Sequence, residues 1–267
     1  MSSLERRVAI DAARAAGHLL RDALTGERRI AFKGSPTNLV TEMDGRAEAL
    51  ITERLRATFP RDAILAEEGG AQAGESGRRW IIDPLDGTTN YAHGLPIFAV
   101  SIGLDVGGRV ELGVIYDPNR DELYVAERGG GAFLGQTRLW VSATPTLNAS
   151  LLATGFPYNI RESPHNNLAQ FTAFSLRTQG VRRLGSAVLY LASVAAGRID
   201  GYWELGLGAW DVAAGALLVE EAGGRITNLD GGPLSLDAPA VVASNGRIHD
   251  EMLGVLAAIP DPGRPIR

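Results

Sequence analysis

Trp80-Ile81-Ile82-Asp83-Pro84-Leu85-Asp86-Gly87-Thr88-Thr89-Asn90-Tyr91 places two carboxylates three residues apart across a proline turn. The apolar run from Trp80 to Ile82 predicts a buried strand that delivers Asp83 at its end. Pro84 fixes its own φ and holds Asp83 extended, so the chain turns there and Asp86 can face the same point. Clustered carboxylates repel one another unless a cation or a proton sits between them. Gly87-Thr88-Thr89 can open a helix whose free amides would bind an anion. A cation site beside an anion site points to metal-assisted chemistry on a phosphate.

Two further acidic positions have the same character. Glu67-Glu68 ends a short apolar run, Ala63 to Ala66, just before Gly69-Gly70, where side chains reach a sheet edge. Asp211 follows Trp210 at the start of an apolar helix. Taken singly, Glu67-Glu68 reads as a solvated strand end, Asp211 as a helix cap and Asp83-x-x-Asp86 as an Asx-type turn. Their combination with a phosphate-ready turn favours a metal centre. Carboxylates and a carbonyl at Leu85 are hard oxygen donors, which select Mg²⁺, Mn²⁺ or Ca²⁺ over zinc.

Around this turn the elements change character. Val8, Ala12, Ala15, Ala16, Leu19 and Ala23 recur at helical spacing, so residues 4–24 read as a helix behind a Ser2–Glu5 capping box. Lys33 to Asn38 reads as an exposed loop, and Thr41 caps a second helix that Phe59-Pro60 stops. Strands at 97–106, 109–116, 122–127 and 132–141, joined by tight turns, predict an antiparallel meander. Beyond it, strands at 150–154, 199–204 and near Arg225 and Ala240 alternate with helices at 163–178, 186–196, 211–222 and 247–258. A proline-rich tail follows. The pattern is a layered α/β chain of two halves, 1–142 (α+β) and 143–267 (α/β), packed as one body with the site between them.

Composition narrows the function classes. The 267 residues carry 45% apolar and 21% charged side chains, as in a soluble globular protein. A net charge of −5 argues against nucleic acid as the main partner. The chain has no cysteine, which excludes disulfides, thiolate metal sites and a cysteine nucleophile. With no apolar signal region and no run of ~20 apolar residues, the expectation is a cytoplasmic protein with no membrane partner. Gly-x-Ser-x-Gly, His-Glu-x-x-His, Walker and Gly-x-Gly-x-x-Gly motifs are all absent.

Asp83-Pro84-Leu85-Asp86-Gly87-Thr88-Thr89-Asn90-Tyr91 resembles the first signature of the inositol monophosphatase family. Trp210-Asp211-Val212-Ala213-Ala214-Gly215, continuing to Glu221-Ala222-Gly223-Gly224, resembles its second. Glu67-Glu68 and the segment Lys33 to Asp44 also match, and the likeness runs from about residue 5 to 258. The resemblance implies an α-β-α-β-α five-layer sandwich and a Mg²⁺-dependent phosphomonoesterase. It implies one metal on Glu67, Asp83 and the Leu85 carbonyl, a second on Asp83, Asp86 and Asp211, and a third, looser Mg²⁺ near Glu67. Two cations about 3.5–4 Å apart suit an in-line displacement. The Gly87 and Thr88 amides would hold phosphate, and Glu67 with Thr88, steered by Asp44, would activate water.

On the alcohol side the resemblance implies substrate contacts from Asp86, Gly185, Ser186, Ala187, Glu204 and Asp211, with Lys33 a further cleft candidate. Arg182-Arg183 reads as surface or as a site for a second anionic group. Inositol 1-phosphate is the first expectation. Fructose 1,6-bisphosphate, histidinol phosphate and nucleotide 2′- or 3′-phosphates are alternatives, because the segment Gly155 to His165 varies among members. A homodimer is implied too. The reading from a different class is an accessory protein of transcription or ribosome assembly.

Overall fold

A computed structural model describes residues 3–26, 30–32, 39–237 and 240–259. Ser2 of the expected capping box, Lys33 with the loop to Asn38, and the proline-rich tail from Pro260 lie outside the described residues.

Helices α1 (Ser3–Ala23) and α2 (Glu42–Thr58) form the first layer. Small residues on α1, Ala9, Ala12, Ala13 and Ala16, are fully buried, which lets the helix lie close to its neighbours. Thr41 opens α2 with a reciprocal capping box: its hydroxyl accepts from Met43 N, and the Asp44 carboxylate accepts from Thr41 N at 2.8 Å. Before α2, β1 (Ile30–Phe32) and β2 (Leu39–Thr41) pair antiparallel. Sequence reading expected no strands here. All three residues of β1 are exposed, so there is no alternation to detect.

The second layer is an eight-stranded sheet. It comprises β3 (Ala63–Ala66), β4 (Gly70–Gln72), β5 (Arg78–Asp86), β6 (Ala99–Val106), β7 (Arg109–Asp117), β8 (Glu122–Glu127), β9 (Gly131–Leu134) and β10 (Thr137–Arg138). Its order is β10-β9-β8-β7-β6-β5-β3-β4, an antiparallel meander extended by β3 running parallel to β5. Alternation along β5 sends Trp80 and Ile82 into the core under α1 and α2, and Ile81 into the core on the other face. The expected strand 132–141 is instead a short β9–β10 hairpin, broken at Gly135 with φ 59°.

On that other face lie α5 (Ala187–Ala195) and α6 (Ala209–Glu221), sandwiched against a second, five-stranded sheet. Its strands are β11 (Leu151–Thr154), β12 (Gly180–Arg182), β13 (Gly201–Glu204), β14 (Arg225–Asn228) and β15 (Val241–Ser244), in the order β12-β11-β13-β15-β14. The outermost layer is α4 (Leu168–Ser175) and α7 (His249–Ala257), which close over Leu152, Trp203 and Val242. The expected helix 163–178 is shortened to α4 because Asn167 sits at φ 68° and turns its side chain inward. Its amide donates to Gly155 O at 2.6 Å and its oxygen accepts from Trp203 Nε1 at 2.7 Å. The layers are α, β, α, β, α in order. No helix among the described residues is long and apolar enough to cross a membrane.

Candidate active site

Strand β5 ends in an irregularity between Asp83 and Asp86, where its register against β6 shifts. Asp83 folds back so that its Oδ1 accepts from Leu85 N at 3.0 Å, the tight turn that Pro84 predicts. Just past the parallel neighbour β3, Glu67 N donates to Ile82 O at 3.2 Å, which sets Glu67 beside Asp83. From the other side, Asp211 stands in the first turn of α6 and its Oδ2 accepts from Gly208 N at 2.6 Å. Ser101, paired with Asp83 across the sheet, donates to Trp210 O at 3.3 Å and pins that helix start.

Oxygens of Asp83, Asp86 and Asp211 thereby lie within 4.8 Å of one another. Burial holds the Asp83 carboxyl well above the usual range, and the charges of Glu67, Asp86 and Asp211 push the same way. Asp211 is raised likewise, by burial first and then by Asp86. Asp86 is pushed up to about 6 by burial, although hydrogen bonds from Ser186 and Val188 work against it. Two buried carboxylates and the half-buried Asp211, which repel one another, form an all-oxygen donor set suited to a divalent cation. The residues present fit that group.

Behind the cluster, the Thr88 hydroxyl is 3.0 Å from both Asp44 Oδ1 and Leu85 O. Asp44 is fully buried, and its other oxygen is held by Thr41 N and by Thr41 Oγ1 at 2.6 Å. The turn into α3 (Thr88–Ala92) requires glycine at 87: φ is 97°, and a Cβ there would meet Ile97 O at 2.8 Å. Thus the capping pattern read for α2 also reaches into the cleft.

The opposite wall comes from the second half of the chain. Ser186 caps α5, accepting from Leu189 N at 3.2 Å while donating to Asp86 Oδ2. Val188 N donates to the same carboxylate oxygen at 2.9 Å. Glu204 ends β13, buried, and accepts from Tyr202 Oη at 2.6 Å. Burial pushes its carboxyl up to about 7. Gly155 makes room for it, since a Cβ at that position would stand 2.0 Å from Glu204 Oε1.

The resulting cavity of about 660 Å³ is within the range of small-molecule sites. Glu67, Asp83, Leu85, Asp86, Gly87 and Thr88 line it from the first half; Gly185, Ser186, Ala187, Glu204 and Asp211 line it from the second. Asp44 supports it from behind, and Lys33 lies outside the described residues. Sequence reasoning gave no role to Asn90, whose amide donates to Ile97 O at 2.8 Å and Leu184 O at 2.7 Å, tying α3 to the segment before α5. Nor did it single out Tyr158, half-exposed, which also lines the cleft. Nothing in spacing alone marks either residue.

The chain matches the model of the inositol monophosphatase family over residues 3–260. It is 45% identical over 255 residues to an inositol-1-monophosphatase of Synechocystis, covering 95% of this chain and 88% of that one. It is 44% identical over 250 residues to the Nus factor SuhB of Haemophilus influenzae, covering 92% and 93%. The solved structure of an inositol monophosphatase from Anabaena (Nostoc) superposes with a TM-score of 0.87 at 45% identity, covering 97% and 98%. With two signatures, a five-layer fold and full-length similarity in agreement, the chain belongs to the inositol monophosphatase family.

Proposed function

We propose that the protein is a Mg²⁺-dependent phosphomonoesterase acting on inositol 1-phosphate or a closely similar polyol phosphate. The observation that carries this reading is the close cluster of Asp83, Asp86 and Asp211 in a cleft that Glu204 also lines. Glu67, Asp83 and the Leu85 carbonyl would hold one cation, and Asp83, Asp86 and Asp211 a second, with a third, looser one near Glu67. Bound there, divalent cations supply charge neutralisation, an acidified water and polarisation of the phosphoryl group.

The chain's own residues do the rest. The Asp44 carboxylate takes the Thr88 proton in a hydrogen bond, leaving the Thr88 lone pairs to orient a water. Glu67 receives that water's proton. The amides of Gly87 and Thr88 face the phosphate oxygens, and Glu204 accepts hydrogen bonds from ring hydroxyls. Ser186 and Val188 hold Asp86 in place for both tasks. This reading needs no phosphoenzyme, in keeping with a chain that has no cysteine and no histidine in either signature. Family membership also supports a homodimer and a cytoplasmic location.

Phosphate release should be measured with Mg²⁺ from inositol 1-phosphate, fructose 1,6-bisphosphate, histidinol phosphate and 2′-AMP. Fastest turnover per mole on a ring polyol is expected; a strong preference for histidinol phosphate or a nucleotide would overturn the substrate reading. The full-length match to relatives named Nus factor favours a second reading, an accessory role in transcription. A deletion phenotype rescued equally by wild type and Asp83→Asn would support it.

A further inference from the structure

Glu204 ends β13 and lines the cleft, and among the described residues its carboxylate hydrogen-bonds to one group, the Tyr202 hydroxyl. Tyr202 stands two residues earlier on the same strand, so both side chains leave the same face of the sheet. The hydroxyl donates to Oε2 at 2.6 Å, which leaves Oε1 with both lone pairs for a ligand. Tyr202 itself is fully buried and stands outside the cleft lining.

The Tyr202 ring is held by the core between the two sheets. Its centroid is 5.2 Å from that of Tyr190 on α5, with the planes 35° apart. Tyr190 Oη in turn accepts from the amides of Leu184 and Gly185, in the turn that opens α5. Trp203, between Tyr202 and Glu204, packs on the opposite face against Phe174. Two packed phenols therefore tie the Gly185 turn to the carboxylate at the end of β13.

Nothing comparable holds Glu204 from the Gly155 side, where the nearest residue has no side chain. Ordering the torsions of a glutamate costs entropy, and the Tyr202 bond settles that cost before a ligand arrives. Burial raises the Glu204 carboxyl to about 7, the Tyr202 bond is the largest influence opposing that rise, and the charge of Asp86 adds to it. The same bond thus favours the ionised, acceptor-only form that ring hydroxyls need.

We propose that Tyr202 is a positioning residue for substrate choice: it fixes Glu204 before binding, so that polyol hydroxyls, and not the phosphate alone, decide which ester binds. This rests on the phosphomonoesterase reading. The test is Tyr202→Phe in the full-length protein with Mg²⁺, which keeps the packed ring and removes only the bond. Inositol release from inositol 1-phosphate is followed, with inorganic phosphate as a competing ligand that has no ring to read. The variant should raise KM for inositol 1-phosphate roughly three- to ten-fold, the weight of a hydrogen bond to a charged group, with kcat and the Ki for inorganic phosphate unmoved. In a Glu204→Ala background the same substitution should leave KM unchanged, because nothing remains to be positioned. An unchanged KM in Tyr202→Phe, a Ki for phosphate that rises in step with KM, or full additivity with Glu204→Ala would overturn the proposal. Absence of inositol 1-phosphate turnover by wild type would instead overturn the polyol-phosphatase reading beneath it.

Discussion

The Thr88 hydroxyl lies 3.0 Å from Asp44 Oδ1, and the opposite oxygen of that carboxylate caps helix α2 through Thr41. One buried side chain therefore joins a helix start in the first layer to the turn that opens the cleft. The two duties separate by mutation. Thr88→Val should lose roughly 10²-fold in kcat with little change in Tm, because only the water-orienting hydroxyl is gone. Asp44→Ala should lose activity similarly and also destabilise by about 1 kcal/mol as the cap is removed. Steady-state kinetics alongside thermal unfolding distinguish the two, and a fully active Thr88→Val would remove the hydroxyl from the mechanism.

Gly155 faces the Glu204 carboxylate so closely that a methyl group must displace it. Gly155→Ala should fold, since the obstructing atoms are the end of a side chain, but should raise KM for inositol 1-phosphate. Glu204→Gln should do the same through lost acceptor strength. Similar KM increases on a phosphate ester lacking ring hydroxyls would show that Glu204 does not read the polyol.

Asp83 is buried among like charges, a repulsion that a bound cation would relieve. Asp83→Asn removes one repelling charge. In EDTA its Tm should equal or exceed that of wild type, whereas added Mg²⁺ should stabilise wild type and not the variant. Its kcat/KM should fall by more than ~100-fold, the upper end of what outer-shell changes cost a metal site. A variant that Mg²⁺ stabilises as strongly as wild type would exclude Asp83 as a ligand.

His249 offers a stability switch far from the cleft. It is fully buried, with Nδ1 2.9 Å from Ser244 Oγ and Nε2 3.0 Å from Thr227 Oγ1. Burial, with Arg225 adding to it, pushes its pKa down to about 4. Unfolded, the ring takes up its proton near pH 6.5. Its neutral form thus contributes stability in full above about pH 6.5, and that contribution is lost as pH falls towards 4. Between pH 7 and pH 5, wild type should lose more Tm than His249→Gln. Equal losses would place the acid sensitivity elsewhere.

Much of this was readable in the residues. Pro84 and the apolar run before it pointed to the turn at Asp83, and the apolar helix behind Trp210 put Asp211 at a helix start. The first layers followed from helical spacing and the meander from its glycine turns. What spacing left out depends on long-range contact. Strand β12 is a three-residue edge without alternation, recognisable only by its parallel pairing with β11. The start of α4 is set by Asn167, whose positive φ is sustained by partners on two distant strands. The link from Asn90 to Leu184 spans 94 residues and leaves no periodic trace.

The metal requirement is tested most directly by phosphate release from inositol 1-phosphate after exhaustive EDTA treatment and gel filtration, followed by stepwise return of Mg²⁺. Activity should be absent in the stripped protein and restored by Mg²⁺ in wild type but not in Asp83→Asn. Full turnover by the stripped protein in EDTA would contradict the carboxylate triad as a catalytic metal centre.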